Sequence, residues 1–249
     1  MKKGAISTLL VFLTLIYLMH ILEKKKMDQN IDTYTQAIVP VVYYTLQEDF
    51  IEAQSAIGHL EQASKDLFTS IRWKYPFSRK DRKLLRNMDK HINKCTKSIQ
   101  EEAYERSIYY LDELRYEWSA WCTLQQIDYP EQRIWDFECT MRNVVEIATD
   151  EMLGLVEWPV FERMLAELIQ KWESMQQIHM PHLIPAHEKM YDEALKYLDS
   201  AVKAFVISIE TGNGNLFGPK AEEVYIAYLA LIQPMVYFQT NDALVMDTD

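Results

Sequence analysis

Apolar side chains recur at the spacing of an α-helix along almost the whole chain after Asp32, and strand-like alternation is hard to find. Steps of three and four residues place side chains on one helix face, whereas alternation places them on one face of a strand. The chain is 49% hydrophobic with only six glycines and eight prolines, which is enough to bury a sizeable core without disulfides. The sequence therefore predicts an all-α fold.

Helix breakers divide this periodic sequence into about seven to eight helices. Proline disfavours helical backbone in the residue before it, and glycine commonly ends a helix. Prolines at four breaks and a glycine-rich segment at 212–218 mark the boundaries. The predicted helices cover residues 34–47, 49–73, 79–100, 102–123, 131–156, 159–177, 185–211 and 219–238.

The ends of these helices recur along the chain. An aliphatic residue followed two positions later by Glu or Thr occurs at Leu46, Ile99, Leu155 and Ile209, at spacings of 53, 56 and 54 residues. Such a period holds two helices and two turns, and chance similarity among amphipathic helices is the alternative. We expect repeated antiparallel helical hairpins, arranged as stacked hairpins or as two fused bundles.

An uncharged run at residues 4–22 lies between Lys2-Lys3 and a segment containing three consecutive lysines, 24–26. As a helix it would extend about 28 Å, close to the ~30 Å hydrocarbon core of a bilayer. No small-x-small cleavage pattern follows, so residues 1–26 are predicted to be an uncleaved transmembrane signal anchor. The lysines on the two sides nearly balance, but the Met-Lys-Lys start is typical of an export signal. We expect a single-pass protein of the cell membrane with an extracytoplasmic body.

The rest of the chain is predicted to form an all-helical repeat domain over residues 33–238, followed by a short acidic tail at 239–249. Three cysteines, an odd number without CxxC spacing, are not typical of a disulfide framework. Cys122 and Cys139 could pair if their helices meet. A small buried side chain is the favoured interpretation for these two and for Cys95.

Charge is distributed unevenly along the chain. The segment 72–97 holds ten basic residues and two acidic ones, whereas the whole chain carries a net charge of −11. An apolar seam of Leu84, Leu85, Met88, Ile92, Cys95 and Ile99 runs along the same helix, so its basic side chains should face solvent. They could bind an anionic lipid, a wall polymer or an acidic protein, or they could offset acidic helices packed nearby. The candidate anion-binding residues are Arg79, Lys80, Arg82, Lys83, Arg86 and Lys90.

Histidines and aromatic residues offer two further candidate sites. His179, His182 and His187, with Glu188 and Asp192, could bind zinc or copper, although two prolines nearby are typical of an ordinary connection. Trp118 and Trp121 are three residues apart and suit a core, as do Tyr225 and Tyr228. If a groove for a peptide, glycan or lipid exists, we expect it between helix 79–97 and the helix carrying Tyr109 and Tyr110.

The sequence contains no di-iron Glu-x-x-His pair, phosphate-binding loop, nucleophile elbow or HExxH motif. We therefore expect no catalytic activity and no cofactor. Nucleic acid is not an expected partner, because the body is acidic and its predicted location is outside the cytosol.

Several short motifs carry a resemblance to known proteins: Glu102-Ala103-Tyr104, Leu111-Asp112-Glu113-Leu114 with Trp118 and Trp121, and Trp135-Asp136-Phe137-Glu138. Together they resemble membrane-anchored helical envelope proteins of endospore-forming Gram-positive bacteria, a group of domain-of-unknown-function type. The segment 185–204 is similar to a pattern in helical envelope lipoproteins. The His that usually follows the tryptophans is replaced by Gln125-Gln126. This resemblance implies an envelope protein and supplies no catalytic residue.

The leading functional hypothesis is a membrane-tethered helical scaffold, or protein-interaction module, of the bacterial cell envelope. The first alternative is a binding module for anionic lipid or cell-wall polymer through residues 79–97. The second alternative is a metal-binding protein that uses residues 179–192.

Overall fold

The computed structural model describes residues 2–74, 79–150, 158–178 and 185–245. For residues 2–18, 20, 23, 72–74, 185–186 and 237–245 the description is confined to the backbone. Within these ranges the chain forms eight α-helices, one short 3₁₀ turn at Gly214–Leu216 and no strand, so the all-α prediction is confirmed. The helices are α1 (Lys2–Leu46), α2 (Phe50–Lys74), α3 (Arg79–Gln100), α4 (Tyr104–Gln125), α5 (Glu131–Thr149), α6 (Trp158–Met175), α7 (Pro185–Glu210) and α8 (Phe217–Val245).

Helix α1 differs most from its predicted bounds, because the helix expected at 34–47 is continuous back to Lys2. The segment 23–33 contains neither glycine nor proline, so nothing in it interrupts a helix. Helix α8 likewise ends at Val245 rather than at 238, which makes the first part of the predicted acidic tail helical. Helix α5 ends at Thr149, where Asp150 adopts an extended conformation.

Three helices end in the same left-handed turn. The second residue after each helix has a positive φ, at Glu48 (57°), Glu102 (52°) and Gly212 (66°). In each turn the next residue donates its N–H to a carbonyl five positions earlier, as in Asp49 to Tyr44 at 2.9 Å and Ala103 to Ser98 at 2.9 Å. These turns lie at three of the four predicted break points, and the fourth, near Leu155, lies outside the described residues. Gln126 forms a fourth turn of this kind that the sequence pattern did not indicate.

The chain divides into two compact units, residues 1–117 and 118–249. The first unit contains α1, α2, α3 and most of α4, which run up, down, up and down. Asn30 on α1 donates to Ser70 Oγ on α2 at 3.0 Å, and Thr96 on α3 donates to Glu61 Oε1 on α2 at 2.7 Å. The core of this unit is aliphatic, with fully buried side chains that include Ile38, Val42, Leu60, Leu67, Met88, Ile99 and Leu111.

The second unit contains the end of α4 and helices α5 to α8, with a core rich in aromatic rings. Phe137 on α5 lies 5.7 Å from Trp172 on α6 and 6.1 Å from Tyr228 on α8, measured between ring centroids. Trp118 and Trp121 stack at 5.1 Å and are buried, so their prediction as core residues is confirmed. Tyr228 is buried as predicted, whereas Tyr225 is half-buried.

Among the residues whose side chains are described, no helix is long and apolar enough to cross a membrane. The predicted span at residues 4–22 falls largely on positions 2–18, whose side chains lie outside the described residues. The transmembrane anchor therefore stays a prediction.

Candidate functional site

Helix α3 begins at Arg79 and ends at Gln100, as predicted from the sequence. Its side toward the protein is apolar, and Leu85, Met88 and Ile92 are buried while Leu84 is half-buried. The opposite side is what we call the basic face, and all of its members are exposed: Arg79, Lys80, Arg82, Lys83, Arg86 and Lys90. The predicted exposure of these cations is confirmed.

The basic face is not neutralised at contact distance by the helices around it. Further along α3, Lys97 lies 3.7 Å from Glu101, and the ammonium of Lys94 lies 5.0 Å from the centre of the Tyr110 ring. Within the described part of the chain, none of the six cations of the basic face has a carboxylate oxygen within 4 Å. The helix therefore presents six exposed positive charges over about 16 Å of its length.

Polar contacts hold α3 against α4 beside the basic face. Asn87 donates to Glu117 Oε1 at 2.7 Å, and His91 Nε2 lies 4.0 Å from Glu113 Oε2. Burial lowers the pKa of His91 below its usual 6.5, although Glu113 and Glu117 act to raise it. His91 is therefore predominantly neutral at pH 7 and does not add to the charge of the basic face.

Aromatic rings lie on α4 next to α3, where the sequence placed a possible groove. Tyr109 is 57% exposed and meets Tyr110 edge to face at 5.2 Å, while Tyr116 is 73% exposed. The exposure of Tyr116 was not predicted. The sequence spacing does indicate this exposure. Tyr109 and Tyr116 are seven residues apart, on the helix side opposite the buried Leu111 and Leu114.

The structure describes only one of the three predicted metal ligands. His179 and His182 lie outside the described residues. His187 lies in the first turn of α7 as predicted, is buried, and has no hydrogen-bond partner for its Nδ1 atom. Glu188 beside it is exposed. The metal-binding hypothesis stays a prediction.

All three cysteines are free thiols, so Cys122 and Cys139 do not form a disulfide. Cys95 and Cys122 are buried as predicted, whereas Cys139 is half-buried. Burial raises the pKa of the Cys95 and Cys122 thiols to about 12, and the nearby carboxylate of Glu131 contributes at Cys122. Both thiols are therefore protonated and poorly reactive at neutral pH.

Comparison with protein-family models, curated proteins and solved structures finds no match. The resemblance to membrane-anchored envelope proteins therefore stays a prediction, and the candidate site depends on the geometry of α3.

Proposed function

We propose that the protein is a membrane-tethered helical interaction module that docks an anionic partner through the basic face. The single observation that carries this proposal is the set of six exposed cations without a contacting carboxylate among the described residues. Clustered charge of one sign attracts oppositely charged surfaces and accelerates their encounter, even on a chain whose net charge is negative. The apolar side of α3 is buried, so the cations stand on a fixed helix.

The tether of this proposal is the N-terminal part of α1. At its described positions the large apolar side chains of Met19 and Leu22 are 60% and 65% exposed, whereas Met27 and the apolar residues after it are mainly buried. Lysines 24–26 lie between these two parts and are exposed. An exposed apolar helix that ends in lysines is typical of a segment placed in lipid with its charges at the interface.

A matched pair of charge-reversal variants tests the basic face. In nonionic detergent the full chain should bind a fluorescein-labelled polyglutamate peptide, and replacing Arg79, Lys80, Arg82, Lys83 and Arg86 with glutamate should weaken binding at least about fivefold. Five exposed charge pairs contribute roughly 0.2–1 kcal/mol each, so the expected loss exceeds 1 kcal/mol. Fluorescence anisotropy measures the affinity, which should also fall with added salt.

The control reverses five exposed basic residues that lie elsewhere in the chain: Lys65, Arg106, Arg163, Lys189 and Lys196. Its net charge changes by the same amount, but its basic face is intact, so it should retain most of the affinity. Equal losses in the two variants would show that net charge alone governs binding and would refute a localised site.

We further propose that the helical body lies outside the cytosol, as the lysine-flanked apolar run suggests. Ile51 is 81% exposed at the start of α2, so Ile51→Cys provides an accessible thiol. In a Cys139→Ser background the other two thiols are buried and protonated. A membrane-impermeant maleimide should label Ile51→Cys in intact cells. Labelling that requires lysis would place the body in the cytosol instead.

A further inference from the structure

The hydrogen bonds between helices of the first unit show which residues lie at the same level along the bundle. Asn30 on α1 bonds Ser70 on α2, and Glu61 on α2 bonds Thr96 on α3. Because neighbouring helices are antiparallel, moving back along α1 by four residues to Lys26 corresponds to moving forward along α2 to Lys74. Lys74 is thirteen residues beyond Glu61 on α2. On the antiparallel α3, the residue thirteen positions before Thr96, which is Lys83, therefore lies at the level of Lys74. Lys26 and Lys83 therefore lie at about the same level.

The first turns of α3 thus lie at the end of the first unit from which the apolar part of α1 emerges. Arg79 lies about 6 Å beyond Lys83 in the direction of Leu22, since each helical residue rises 1.5 Å. The exposed basic residues at this level come from two separate parts of the chain: Lys24, Lys25, Lys26, Arg79, Lys80, Arg82 and Lys83.

We propose that this cluster binds the anionic phospholipid headgroups of the same membrane in which α1 is anchored, an inference that rests on the tether of the proposed function. The charges are complementary, and their common level coincides with the end of the exposed apolar residues Met19 and Leu22. Basic residues close to an anionic membrane surface are attracted to its headgroups. Docking would also fix the orientation of the first unit, because contacts on both α1 and α3 prevent it from pivoting about the anchor.

The attraction of each α3 cation to lipid headgroups should fall with its distance from the membrane end of the helix. Electrostatic attraction to a membrane surface decays over a Debye length of about 8 Å at physiological ionic strength. Lys90 lies about 10 Å farther from the membrane end than Lys83, and Lys97 lies about 21 Å farther. Only the first two turns of α3 should therefore contact headgroups, whereas an acidic protein or polymer could bind along the whole helix.

Quenching by lipid headgroups tests this arrangement in the full chain. Lys83→Cys in the Cys139→Ser background is labelled with bimane and reconstituted into phosphatidylcholine vesicles that carry a headgroup nitroxide, with or without phosphatidylglycerol. We expect quenching at position 83 to be at least about twofold stronger in the anionic vesicles. A label at Ile51→Cys, roughly 35 Å away along the bundle, should be unquenched in both.

Two further variants identify the residues responsible. Replacing Arg79, Lys80, Arg82 and Arg86 with glutamate should reduce quenching at position 83 to its level in neutral vesicles. Reversing Lys65, Arg106, Lys189 and Lys196 should leave the quenching unchanged. All these side chains are exposed, and circular dichroism verifies that each variant keeps its helical content.

The outcomes separate this inference from the proposed function. Vesicle flotation with no quenching at position 83, or with equal quenching in neutral and anionic vesicles, would overturn lipid binding and leave the tether in place. In that case an acidic protein or wall polymer would be the partner of the basic face. A chain that does not float with vesicles would overturn the tether itself.

Discussion

Replacing Phe137 with alanine is expected to lower the free energy of unfolding of the second unit by about 3–5 kcal/mol. The Phe137 ring is fully buried and contacts rings from two other helices, Trp172 on α6 and Tyr228 on α8. These large neighbours belong to separate helices and cannot close the resulting cavity without displacing backbone. Because domains are stable by only about 5–15 kcal/mol, this loss is a large part of the total.

Denaturant titration followed by tryptophan fluorescence measures this change. Five of the six tryptophans lie in residues 118–249, so the signal reports mainly on the second unit. The control is Ile226→Ala on α8, whose side chain is 57% exposed, and it should change stability by less than about 0.5 kcal/mol. A loss below about 1 kcal/mol for Phe137→Ala would contradict the described packing of the second unit.

Local signals in the sequence predicted most of the helices. Helix α3 has its predicted bounds, and a left-handed turn at Glu102 follows its end. The continuity of α1 was missed because the anchor was predicted to end at residue 26 and the next helix to begin at 34, although no helix-breaking residue lies between them. The left-handed turn recurs at Glu48 and Glu102, 54 residues apart, but Gln126 forms the same turn outside that spacing, so the helical repeat stays a prediction.

The candidate site was predictable only in part. Periodicity is a property of one helix, so the burial of Met88 and the exposure of Lys83 followed from the sequence alone. Whether acidic side chains would neutralise the basic face depends on which residues of neighbouring helices approach it. The alignment of Lys83 with Lys26 likewise depends on the register of three helices, which becomes known only from contacts such as Asn30 to Ser70.

Deleting residues 2–22 is expected to convert the protein from membrane-bound to fully released. The apolar run at residues 4–22 is long enough to span a bilayer core, and insertion of such a helix is effectively irreversible. The basic cluster alone should not hold the truncated chain, because high salt and high pH weaken its attraction to lipid. Sedimentation of membranes after an alkaline carbonate wash measures the distribution between pellet and supernatant.

Alkaline extraction of the full chain tests most directly the proposal that residues 4–22 tether the helical body to a membrane. We predict that the full chain stays in the membrane pellet, as does the variant with Arg79, Lys80, Arg82, Lys83 and Arg86 replaced by glutamate, while the truncated chain appears in the supernatant. Recovery of the full chain in the supernatant would contradict the tether and, with it, the proposed docking of α3 on the same membrane.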